Sequence, residues 1–283
     1  MAYLRAKKTK TGCYLYLVRS VWDKKNNTSK QEIIKYLGKA SDVLREDIPS
    51  VYKNDPKIMA TLARYSPENM KLHDDVISNS RDSLFRGLLE GDVQKCEGVC
   101  SRYAKTASIT DFFEKILKPV MYQIGDDWKA GKIDIAAEHV ASNIAQNLVR
   151  GTRFAVQKND KLKVLLCVPA GEEHHLGCDI LDVFFSARGF RVFNMGTPLP
   201  AASILRFIDD NKPNVIMISI TLEDNLVAGQ RLVKKISSVC DIPIFVGGGA
   251  LQSENIPVFQ AEIIKDMKLD AVLQKIRRQV ATI

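Results

Sequence analysis

Val164-Leu165-Leu166-Cys167-Val168 is an uninterrupted apolar run, and Pro169-Ala170-Gly171-Glu172-Glu173-His174-His175-Leu176-Gly177 follows it as a polar, glycine-bearing turn. A five-residue apolar run bounded in this way reads as a strand buried on both faces. The text after it, about 177–188, returns to helical spacing. The cadence repeats downstream: 191–195, 215–220, 244–246 and 262–265 read as strands, and 201–211, 224–238 and 268–281 as helices. Strands alternating with helices call for a parallel sheet covered on both faces, and such sheets bind ligands at the carboxyl ends of their strands. The loops to read for chemistry are therefore 169–177, 195–200, 219–225 and 247–252.

Upstream of this 160–283 domain the period changes. Leu84, Leu88 and Leu89, then Phe112, Phe113, Ile116 and Val120, recur at helical intervals. Four helices are expected at about 74–89, 91–105, 109–130 and 134–157, making 73–157 a compact antiparallel bundle. Residues 48–72 are polar, are interrupted by Pro49, Pro56 and Pro67, and read as a linker with one short helix at 57–65. Residues 1–47 read as a small β-rich module: 12–18 is aromatic and β-branched, and Lys24-Lys25-Asn26-Asn27 suits a turn before 31–37.

Charge is uneven. The 283 residues carry a net charge of +8, and residues 1–47 hold eleven Lys and Arg against five acids, so six of the eight excess charges lie there. Such a module can place cations on phosphates, which makes DNA an expected partner. No stretch reaches the roughly 18 apolar residues of a membrane span, and the basic start has no apolar run after it, so a cytoplasmic address without membrane contact is expected. The six cysteines include no CxxC pair; Cys96 and Cys100 share a helical face but lack a second ligand pair, and read as core.

A loop histidine by itself is an ordinary solvated side chain, but His174 stands at the carboxyl end of the first parallel strand with Glu172 two residues before it. A neutral imidazole oriented by a carboxylate is the arrangement that presents a ring nitrogen to a metal. Gly177 would let the backbone approach something bulky as the helix starts. At the bundle's far end, Trp128 closes one helix, a turn with Gly131 follows, and Glu138-His139 lies one turn into the next.

Glu172-x-His174-x-x-Gly177 resembles the first-loop signature of cobalamin-binding proteins of the methionine-synthase-like fold. Ser219 matches that family's serine after the third strand, with Thr221 in place of a leucine, and Gly247-Gly248 matches its paired glycines after the fourth. The fold implied is α/β: a Rossmann-like parallel-sheet cobalamin domain, preceded here by the helical cap and the basic β module. The resemblance implies His174 as lower axial cobalt ligand, Glu172 as its orienting acid, and Gly177, Ser219, Thr221, Gly247 and Gly248 along the nucleotide tail.

Trp128, nine residues, then Glu138-His139 is similar to the cap motif of light-sensing, adenosylcobalamin-dependent transcriptional regulators. That resemblance implies Trp128 against the upper axial group, Glu138 and His139 around an adenosyl, and a homo-oligomer. Lys129 stands where some relatives have a histidine, and residues 1–47 do not read as their winged helix-turn-helix. The expected function is a cobalamin sensor, a photoreceptor regulating transcription rather than an enzyme. The alternative is a corrinoid methyl carrier of a methyltransferase system, holding methylcobalamin.

Overall fold

The computed structural model describes residues 2–23, 28–65, 67–153, 162–253, 255–265 and 268–280. The chain divides into two compact units, residues 1–79 and 80–283. The turn expected at 24–27 and the end of the helix expected at 134–157 lie outside the described residues.

The first unit is an antiparallel meander of β1 (Ala2–Thr9), β2 (Gly12–Asp23) and β3 (Thr28–Lys39), in that spatial order. Leu4 opposes Leu17 across the β1–β2 ladder, so both face one side of the sheet, and Leu15 joins them there. Ile58 and Leu62 of α1 (Pro56–Ala63) pack in the same buried cluster. Helix α1 starts where it does because Pro56 suits the first turn and the Asp55 carboxylate accepts the Lys57 and Ile58 amides. The stretch 48–65, read from sequence as linker, is thus bound to the sheet through Ile48, Ile58 and Leu62. A three-stranded sheet needs such a cover to hold.

Helix α2 (Pro67–Glu90) leads into α3 (Val93–Thr106), which Asp92 caps. Next come α4 (Ile109–Phe112), a π-helical turn at Phe113–Leu117, and α5 (Lys118–Lys129) as one run, and then α6 (Ile135–Gly151), capped by Asp134. Leu84, Leu88, Cys96, Phe112, Ile116, Ile124, Ala141 and Ala145 are fully buried, as a bundle's inward positions must be. Burial raises the Cys96 thiol to about 11 and the Cys100 thiol likewise, in keeping with packing.

The Rossmann-like part runs β4 (Lys163–Cys167), α7 (Leu176–Ser186), β5 (Arg191–Asn194), α8 (Ala201–Asn211), β6 (Val215–Ser219), α9 (Leu226–Ser237), β7 (Ile244–Gly247), β8 (Glu262–Ile263) and α10 (Leu269–Val280). All strand pairs are parallel, in the order β5-β4-β6-β7-β8. Alternate residues feed opposite layers. Val164, Leu166 and Met217 pack with α7 and α10, while Leu165, Cys167 and Ile218 pack with α8 and α9. Burial on both faces explains the continuous apolar runs. The chain leaves β4 toward β5 on one side and returns as β6 on the other, so the carboxyl ends of β4 and β6 form the topological switch point. The fold is therefore the α/β architecture expected, with the helical bundle and a small N-terminal antiparallel sheet. No helix among the described residues is long and apolar enough to cross a membrane.

Candidate functional site

At the switch point, Glu172 is completely buried and every oxygen is used. Its Oε1 accepts the His174 backbone amide at 3.0 Å and lies 2.8 Å from His174 Nδ1. Its Oε2 accepts the amides of Thr221 (2.8 Å) and Leu222 (3.0 Å) and the Asn225 side chain (3.1 Å). Burial alone would raise this carboxyl; the hydrogen bonds from His174, Leu222, Asn225 and Thr221 outweigh it and hold the group below its usual value. A carboxylate that only accepts requires Nδ1 to carry a proton, so the neutral imidazole has its lone pair on Nε2. The Glu172 contact also raises the imidazole's affinity for a proton, against the opposing effect of burial.

Nε2 faces a cavity of about 760 Å³ whose lining joins α5, α6 and the ends of β6 and β7. Trp128 and Glu138 line it from the bundle. The placement of Trp128 follows from how α5 ends: Gly131, at φ +71°, donates to the Trp128 carbonyl, and Lys132 donates to the Asp127 carbonyl. This is a Schellman stop, which only a residue tolerant of the left-handed region completes without strain. Asp134 then starts α6 by accepting the Ala136 amide at 2.8 Å. Glu138, one turn in, is buried, accepts the Ser142 hydroxyl at 2.6 Å, and holds Oε1 3.9 Å from His174 Nε2.

Gly177, Ser219, Thr221, Gly247 and Gly248 line the other side of the cavity. A Cβ at Gly177 would sit 3.1 Å from Ser219 Oγ, and one at Gly248, whose φ is +121°, would meet the Ile220 carbonyl at 2.1 Å. The glycines let their loops pack against Ser219 and the Ile220 backbone, on a wall of the cavity that Met217, Leu269 and Val272 also line.

Nine of the ten residues singled out from sequence thus meet at one place, Glu172 from behind His174 rather than from the cavity. His139 does not: its side chain is 64% exposed and touches the site only through Glu138, whose Oε2 lies 2.8 Å from Nδ1. Adjacent residues on a helix point about 100° apart, so Glu138 and His139 cannot both face inward. His175 is also turned away, buried against Asp179 at 3.2 Å. Ser142 and Gln146 line the cavity and were missed, although they lie four and eight residues beyond Glu138, on its own helical face. Asn225, which donates to Glu172, gave no local signal; it comes from a loop 53 residues away.

An imidazole with its tautomer fixed, on the wall of a large, mostly apolar cavity, fits a metal-centred cofactor. Glu138 Oε1 stands nearer to Nε2 than a metal-centred ring held by that nitrogen allows, since a nitrogen–metal bond of roughly 2 Å and a van der Waals contact of roughly 3.5 Å together need about 5.5 Å.

Residues 80–150 and residues 162–265 each match the family described as B12 binding domain. The HTH-type transcriptional repressor CarH of Myxococcus xanthus is 26% identical over 165 residues, covering 53% of this chain and 53% of that protein. The HTH-type transcriptional repressor CarA of the same organism is 22% identical over 220 residues, covering 77% and 72%. Methionine synthase of Mycobacterium tuberculosis is 23% identical over 150 residues, half of this chain but 13% of the enzyme. The chain thus matches about half the length of CarH and a small part of the synthase. The monomethylamine corrinoid protein of Methanosarcina barkeri shares the fold, with a TM-score of 0.58 at 14% identity over 71% of this chain and 99% of that one. The helical bundle and the Rossmann-like domain are both B12 binding domains, and the chain is a cobalamin-binding protein.

Proposed function

We propose that the chain is an adenosylcobalamin-dependent sensor, a photoreceptor that regulates transcription, in which His174 would hold the cobalt. The observation that carries this reading is the meeting of Glu138 with His174 inside a cavity that Trp128 also lines. The bundle reaches over the ligand nitrogen, so what lies above His174 decides where α6 can sit. Adenosylcobalamin, when bound, supplies a light-labile cobalt–carbon bond.

The roles of the chain's own residues follow from their positions. Glu172 fixes the His174 ring and its proton. Trp128 and Glu138, with Ser142 holding the latter, shape the space for an upper group, and His139 holds Glu138 from outside. Ser219, Thr221 and the Gly247-Gly248 turn bound the space for the nucleotide tail. In this reading α6 takes a second position against the Rossmann-like domain once the cofactor changes, which gives the two states a ligand switch requires. The repressor names of CarH and CarA support a regulatory output, with DNA as partner of the basic N-terminal unit and a homo-oligomer as the assembly.

The test is the absorption spectrum of the full chain loaded with adenosylcobalamin in the dark, before and after illumination. The spectrum should change on illumination, together with the apparent molecular size. No uptake of cobalamin overturns the site. Uptake without a light response, joined to methyl transfer from methylcobalamin to a thiol acceptor, would put a corrinoid methyl carrier in the sensor's place.

A further inference from the structure

The face of the N-terminal sheet opposite α1 has an unusual composition around the buried Val18. Residues paired across an antiparallel ladder point to the same side. Leu4, Leu15 and Leu17 take the α1 side, so Arg5, paired with Tyr16, and Lys7, paired with Tyr14, take the outer side. On the other edge of β2, Tyr14 pairs with Lys39 and Tyr16 with Tyr36, the register being shifted by bulges in β3. Arg5, Lys7 and Lys39 are exposed, and Tyr36 is 52% and Trp22 59% exposed. Among the described residues, no acid occupies an outward register position of this sheet.

The arrangement is a ridge flanked by cations. Tyr14 and Tyr16 stand on the central strand, braced by Tyr36, whose ring centroid is 6.4 Å and 5.0 Å from theirs. Lys7 on β1 and Lys39 on β3 lie on either side of Tyr14, two strand spacings apart, or roughly 10 Å. The major groove of double-helical DNA is about 12 Å wide between its phosphate backbones, and it accepts β-structure. Arg5 reaches across β2 to donate to Gln31 Oε1 at 2.6 Å, which keeps its guanidinium over the sheet. A surface made to stack unpaired bases would instead present its rings singly and flat. These tyrosines are spent on one another at tilts of 31° and 47°.

We infer that this face docks on double-helical DNA, with the Tyr14–Tyr16 ridge in the major groove, Lys7 and Lys39 on the phosphates at its two walls, and the Arg5 guanidinium over the sheet between them. This deepens the regulator reading by naming the surface and its partner. It is tested without cobalamin, so failure of cofactor uptake leaves the result unaffected.

The experiment is fluorescence anisotropy of the full, cobalamin-free chain with a labelled duplex of about 30 base pairs, from about 50 to 200 mM salt. Replacing Arg5→Gln, Lys7→Gln and Lys39→Gln together should weaken binding at least tenfold at about 0.1 M salt. It should also flatten the dependence of log K on log salt by roughly 2, because each phosphate contact contributes about 0.9. A charge-matched set, Lys8→Gln, Lys57→Gln and Arg64→Gln, should change binding by less than about threefold. Tyr16→Ala should weaken binding while leaving the salt slope unchanged. If the triple variant melts early, Lys39→Gln alone should still lower the slope by about 1. Equal losses in the two triple variants, tighter binding to single-stranded DNA or RNA of the same length, or no duplex binding at about 50 mM salt would each overturn the inference.

Discussion

Glu172 shows how one side chain sets the chemistry of another. Its Oε2 receives two backbone amides and the Asn225 amide, and its Oε1 faces His174. In Glu172→Gln the amide oxygen must stay with those three donors, which turns the NH₂ toward His174 Nδ1. The imidazole then has to accept at Nδ1 and carry its proton on Nε2, with no lone pair toward the cavity. The substitution should cost about 10–100-fold in cobalamin affinity, the scale on which residues that orient metal ligands act, and a spectrophotometric titration measures it. His174→Ala should remove the spectral signature of histidine ligation altogether, while Trp128→Ala should retain cobalamin but lose preference for the adenosyl form. Gly248 makes a purely steric case. Alanine there places Cβ 2.1 Å from the Ile220 carbonyl at φ +121°, so Gly248→Ala should destabilise the fold by about 2–4 kcal/mol in denaturant melts.

At the scale of elements, the bundle is tied to the Rossmann-like domain by polar contacts. Glu114, in the π-helical turn, accepts the Leu269 amide at 2.7 Å and so caps the start of α10. Arg150 of α6 and Arg153, two residues past its end, pair with Asp179 and Asp182 of α7, both at 3.2 Å, and the two aspartates are buried while the arginines are half exposed. Burial raises the Asp182 carboxyl in spite of Arg153. Glu114→Ala should cost about 1 kcal/mol, the usual value of a lost cap, and should increase hydrogen exchange at Leu269 while leaving β4 and β6 protected. Equal exchange in both proteins would show that the cap is not what holds α10 there.

For the whole molecule, Glu138 of α6 stands 3.9 Å from His174 Nε2, so a group held by that nitrogen has to find its space beneath α6. Loading should therefore loosen α6 from α7. Hydrogen exchange should rise at the amides around Arg150 and Arg153 on uptake, while the sheet core around Leu165 and Ile216 keeps its protection. Unchanged exchange on α6 after full loading would mean that the cavity accepts the cofactor without any movement of the bundle.

The sequence by itself determined the order and kind of the elements, because period and composition are local properties. Apolar runs made β4 and β6, helical spacing made the bundle, and Asp134 and Gly131 marked where α6 begins and α5 ends. The motif spacing also brought out nine of the residues that meet around His174. Tertiary structure alone decided which side of α6 faces the cavity, and so turned Glu138 in and His139 out. It supplied Asn225 to Glu172 across 53 residues, and it bound α1 to the sheet where the prolines read as a linker. Those outcomes rest on contacts between segments far apart in the chain. No local pattern encodes them, because they form only once the strands stand in the order β5-β4-β6-β7-β8.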